Sequence, residues 1–101
     1  MLLIMTFDTI ATALEDRRRR QILFELLEHN PVEQSAVQSR AAQEDRAIQL
    51  VHNHLPKLES MGYVSWDRDL GIITRGAAFE EIQPTLDLLR EHRDQVPTDT
   101  F

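Results

Sequence analysis

The feature that most restricts this chain is a helix period that changes to a strand period at one glycine, between Asp45 and Arg75. Ile48, Val51, Leu55, Leu58 and Met61 recur at spacings of three and four, which puts them on one face of a helix running from about Asp45 to Met61. Gly62 follows as the left-handed C-cap. Tyr63-Val64-Ser65-Trp66 and Ile72-Ile73-Thr74-Arg75 then read as strands, joined by the polar turn Asp67-Arg68-Asp69-Leu70-Gly71. Pro56 sits inside the helix, where its ring is expected to strike the carbonyl of His52 and bend the axis.

Upstream, Phe7, Ile10 and Leu14 mark a short amphipathic helix. Asp16 is placed to N-cap a second helix, whose core face carries Ile22, Leu23, Leu26 and Leu27. That helix is expected to stop at His29-Asn30-Pro31, with Asn30 as a left-handed cap. Val32 suits a short strand contact, and a weaker helix from Gln34 to Ala42 offers Ala36, Val37 and Ala41. Downstream, Phe79, Ile82, Leu86 and Leu89 form the stripe of a last helix that Pro84 interrupts. The expected fold is mainly α with a small β-hairpin, a winged helix-turn-helix with an extra C-terminal helix. Its expected divisions are residues 1–76 for the winged domain, 77–94 for the C-terminal helix and 95–101 for a flexible tail.

Two segments carry a family resemblance. Asp16-Arg17-Arg18-Arg19-Arg20-Gln21-Ile22-Leu23 resembles the start of the second helix in ArsR-type regulators. His54-Leu55-Pro56-Lys57-Leu58-Glu59-Ser60-Met61-Gly62-Tyr63-Val64 is similar to the junction of recognition helix and wing in the same family. The arginine-rich start taken with His-Leu-Pro-Lys-Leu-Glu is most similar to small winged-helix proteins of haloarchaea. The resemblance implies a transcriptional regulator, with Arg19 as a structural residue and Arg68 as a wing-tip arginine for the minor groove.

Composition pulls the other way. Seventeen acids outnumber eleven bases, the net charge is −6, and Lys57 is the single lysine. Most nucleic-acid-binding domains are basic, because released counterions drive their association. An acidic chain of this kind fits a high-salt setting, where at about 1 M salt the Debye length shrinks to ~3 Å. Cysteine is absent, which excludes thiolate chemistry and disulfides. The apolar start Met1-Leu2-Leu3-Ile4-Met5 is too short for a membrane span and lacks a basic flank, so a cytoplasmic protein is expected.

The candidate site follows from the helix. Arg46, Gln49, Asn53, Lys57 and Ser60 project opposite the apolar stripe. Arg46, Gln49 and Asn53 suit base edges in a major groove, while Lys57, Arg17, Arg18 and the flanking His52 suit phosphates. His54 is expected to pack near the hairpin, and Trp66 to be a packing residue. Arg68 would serve the minor groove or pair with Asp67 and Asp69. The stripe Phe79, Ile82, Leu86 and Leu89 is a candidate dimerisation face, since a palindromic operator needs paired recognition helices.

His52 and His54 lie two apart on a helix and point about 200° from one another, so they cannot chelate one ion unaided. No metal, cofactor, small-molecule substrate or catalysis is expected, there being no phosphate loop or nucleophile motif. The sequence therefore predicts a homodimeric DNA-binding regulator adapted to high salt. Two alternatives stand beside it, a winged-helix module that binds protein and a metal-responsive repressor.

Overall fold

The computed structural model describes residues 2–43 and 50–101. The order is α1 (Leu2–Leu14), α2 (Arg17–Glu28), β1 (Val32–Glu33), α3 (Gln34–Gln43), a π-helical segment (Leu50–His54), α4 (Leu55–Ser60), β2 (Val64–Asp67), β3 (Ile72–Arg75) and α5 (Phe79–Glu91). The chain is thus mainly helical, with a small antiparallel sheet ordered β1-β3-β2. Among the described residues no helix is long and apolar enough to cross a membrane.

One core joins every α-helix and β-strand of this order. Ile10 and Ala13 of α1, Ile22, Leu23 and Leu26 of α2, Val37, Leu55 and Leu58, Ile73 of the sheet, and Phe79, Ile82 and Leu86 of α5 all fall in a single buried cluster. Phe7 departs from the expected stripe of α1 and is 70% exposed, while Ala13 takes the inward position. In β2, Val64 and Trp66 face inward and Ser65 and Asp67 outward, the alternation a half-covered strand requires. Trp66 lies opposite Ile73, and Val32 of β1 pairs with the same residue from the other side.

Local chemistry sets the element ends. Asp16 is extended, and its carboxylate accepts the Arg18 N–H at 2.8 Å, capping α2 as expected. The other end differs from the prediction, because the cap is His29 in an extended conformation rather than a left-handed Asn30. Asn30 instead uses its side-chain oxygen to accept the Arg75 N–H at 3.2 Å. Gly62 does take positive φ, at 85°. A Cβ on Gly76 would run into the Gly62 carbonyl, so the exit of the hairpin closes on the end of α4 only because both residues are glycine.

Next to Pro56, where a bend was expected, the helix changes type. The π-helical segment ends at His54 and the α-helix restarts at Leu55, which leaves Pro56 in a first turn. There its missing N–H costs nothing. Pro84, by contrast, lies within α5, which runs through it to Glu91.

The last seven residues do not form a free tail. Arg93–Gln95 and Thr98–Thr100 make short 3-10 turns. Arg20 donates to the Thr100 and Asp99 carbonyls at 2.8 and 3.0 Å, and the Phe101 ring packs at a tilt against Phe24 of α2, 4.7 Å between centroids. A polar sequence with little periodicity conceals this docking, because its anchors lie about 80 residues away.

Candidate nucleic-acid interface

Arg46 and Gln49, the two leading base-reading candidates, and Ile48 of the stripe lie outside the described residues. The remaining candidates of that face are solvent-exposed. His52 and Asn53 lie on the π-helical segment and Lys57 on α4, while Leu55 and Leu58 anchor the opposite side in the core. Ser60 is exposed and returns its hydroxyl to the Lys57 carbonyl at 2.8 Å.

The hairpin meets this face. A groove of about 440 Å³ is lined by His52 and Pro56 of the helical segments, by Trp66 and Arg68 of the hairpin, and by Gln34 of α3. Two candidates, His52 and Arg68, are thereby brought to one surface. Trp66 is held by its indole N–H, which donates to Gln34 Oε1 at 2.8 Å. Arg68 lies over the Trp66 ring, 4.0 Å from its centroid. Its guanidinium also donates to both carboxylate oxygens of Glu59, at 3.0 and 3.4 Å. The expected partners were Asp67 and Asp69, but the carboxylate that Arg68 meets is Glu59, and Asp67 accepts the Leu70 N–H inside the turn.

His54 also differs from expectation. Rather than packing near the hairpin, it is buried at the start of α2, with Nδ1 3.4 Å from Arg19 Nη1 and Nε2 3.8 Å from Asp16. An arginine can only donate, so this geometry assigns Nδ1 as acceptor and leaves the proton on Nε2, toward Asp16. Burial pushes the His54 pKa down, and the charges of Arg19, Arg18 and Lys57 push the same way against the pull of Asp16. For Asp16, burial works upward, but the Arg18 N–H and the nearby cationic groups outweigh it and hold the carboxyl below its ordinary value. These contacts tie the start of α2, with the exposed Arg17 and half-buried Arg18, to the segment carrying His52 and Asn53. Arg18 is partly engaged already, 3.6 Å from Asp16.

The other two arginines of the run are structural. Arg19 donates to the Ala13 and Thr12 carbonyls at 3.2 and 2.7 Å, and Arg20 to that of Leu14 at 2.6 Å. The last carbonyls of a helix lack intrahelical partners. The cations that oppose the dipole of α2 therefore complete the C-terminus of α1, where positive charge is favourable. Arg75 does the same for α2, donating to Leu26 and Leu27 at 2.9 Å each. The sequence shows these arginines but not their acceptors, which belong to other elements.

The candidate dimerisation stripe is corrected. Phe79, Ile82 and Leu86 are buried in the protein's own core, and Leu89 is half-buried, so the stripe is spent on the fold. Among the described residues, no group of three His, Asp or Glu is arranged to hold a metal ion. His52 is exposed and His54 buried, so the two histidines do not share a site.

Residues 11–74 match the protein family described as "Domain of unknown function (DUF7344)". The match covers more than half of the 101 residues, and the chain belongs to that family. No curated protein and no solved structure matches it.

Proposed function

We propose that this protein is a winged helix-turn-helix regulator that binds double-stranded DNA as a homodimer and is adapted to high salt. One observation carries the reading: an exposed helical face bearing His52, Asn53 and Lys57 adjoins a hairpin bearing Arg68 across a shared groove. In this reading the hairpin is the wing, Asn53 reads a base edge, and Lys57, His52, Arg17 and Arg18 hold phosphates. Arg46 and Gln49 complete the base-reading face. The dimer joins through a surface other than the Phe79, Ile82 and Leu86 stripe, which is buried.

Fluorescence anisotropy with genomic fragments in molar potassium chloride tests the proposal. Lys57→Ala should weaken binding about equally on all sequences and flatten the logarithmic salt slope by about 0.9 per lost phosphate contact. Arg46→Ala/Gln49→Ala should erase preference among sequences. Equal, sequence-independent weak binding by wild type and that double variant rejects base reading. The competing reading is a protein-binding winged-helix module. The net charge of −6 and the pairing of Arg68 with Glu59 favour it. A stoichiometric protein partner together with an empty DNA footprint would establish that alternative.

A further inference from the structure

The most exposed cation of the hairpin is not free. Arg68 is 55% exposed, yet its guanidinium is engaged twice, by both oxygens of Glu59 and by the face of Trp66. Glu59 projects from α4, and Trp66 belongs to β2, so the contact joins the two elements that flank the groove. Arginine offers a carboxylate the same planar pair of donors that it offers a phosphate. We propose that Glu59 is an intramolecular stand-in for a DNA phosphate, a latch that holds Arg68 flat on Trp66 until a backbone phosphate displaces the carboxylate. The proposal rests on the DNA-binding reading above and specifies how that site is regulated.

The exchange has a consequence for salt. When a phosphate replaces Glu59, the DNA releases a counterion, while the freed carboxylate draws back part of a screening cation. The uptake offsets part of the release, so the Arg68 contact adds less to the salt dependence of binding than a free arginine would. With a neutral residue at position 59 the full release remains, and the logarithmic slope steepens by a fraction of the ~0.9 that one phosphate contact carries. A contact that exchanges anion for anion loses less of its strength as salt rises, which suits a protein with this acidic balance.

Removing any acid near DNA raises affinity, so the test is a double-mutant cycle. Wild type, Glu59→Gln, Arg68→Ala and the double variant are titrated by anisotropy with a labelled 30-base-pair duplex across a series of potassium chloride concentrations. Asp69→Asn, another hairpin acid, serves as the control. The latch predicts that Glu59→Gln binds about fivefold more tightly, equivalent to an exposed ion pair of ~1 kcal/mol. It also predicts a steeper slope, and both gains should vanish when Arg68 is alanine. Trp66, the single tryptophan, gives a readout without DNA. Its emission should change in Glu59→Gln, as the guanidinium leaves the ring, and stay constant in Asp69→Asn. Wild-type binding with no gain in Glu59→Gln, or with an equal gain in the Arg68→Ala background, overturns the latch and leaves DNA binding standing. No DNA binding by any of the five proteins overturns both.

Discussion

Arg19 and Arg68 are each paired with a glutamate, Arg19 with Glu15 at 3.5 Å and Arg68 with Glu59 at 3.0 Å. By distance alone the second pair is the better one. Their surroundings reverse that ranking. The Arg19 side chain is 4% exposed and that of Arg68 55%, so Arg19 sits where water cannot replace its partners and Arg68 where it can. The acceptors differ accordingly. Arg19 completes two backbone carbonyls in the last turn of α1, while Arg68 meets a carboxylate that water would satisfy equally well. An arginine at an elements' junction holds the fold together, and one at an exposed rim is available for exchange.

The most direct way to break the comparison is to remove each cation. Arg19→Met, which keeps the apolar stem, strands the Thr12 and Ala13 carbonyls and should cost about 3 kcal/mol in urea unfolding. Arg20→Ala is the intermediate case, because its partners lie at the edge of the fold. It should cost about 1–2 kcal/mol, and limited proteolysis should then cut within residues 93–101 faster than in the wild type.

The histidine beside Arg19 gives a pH-dependent version of the same contrast. Folding lowers the His54 pKa, so below its ordinary value of 6.5 the unfolded chain takes up a proton that the folded protein resists. Stability should therefore be level above pH 6.5 and decline as the pH falls below it. His54→Gln should remove that decline in a series of denaturation curves. The depressed Asp16 carboxyl adds stability that is present above its ordinary value of 3.8 and lost at lower pH, and the share of it that comes from the Arg18 N–H and the arginines should survive in His54→Gln. The smallest effect belongs to Arg68→Ala, less than about 1 kcal/mol, because exposed ion pairs and cation–π contacts are each worth little. A loss matching that of Arg19→Met would refute the distinction between the two sites.

Much of the architecture was legible because its signals are local. The stripe of Leu55 and Leu58, the Gly62 cap, the alternation of Val64 and Trp66, and the Asp16 cap all depend on neighbours within a few residues. Val32 was legible as a strand contact, although its partner Ile73 was not. The candidate site was legible only as a face. The exposure of His52, Asn53 and Lys57 followed from periodicity, whereas the pairing of Arg68 with Glu59 required α4 to return beside the hairpin. Asp67 and Asp69 are nearer to Arg68 in sequence, but Asp67 is used inside the turn by the Leu70 N–H, and the carboxylate that reaches Arg68 arrives from α4.

The helix-to-hairpin segment and the order of elements around it were determined by the sequence alone, through periods and caps that act over one or two turns. The tertiary structure decided how each polar or apolar feature is used. It turned the stripe of α5 inward, where Phe79, Ile82 and Leu86 complete the core rather than face a second subunit. It committed Arg19, Arg20 and Arg75 to the carbonyl ends of helices and left Arg68 on the rim. A residue's type sets what it can bond, but only the packing of distant segments sets which partner arrives and whether water competes for it.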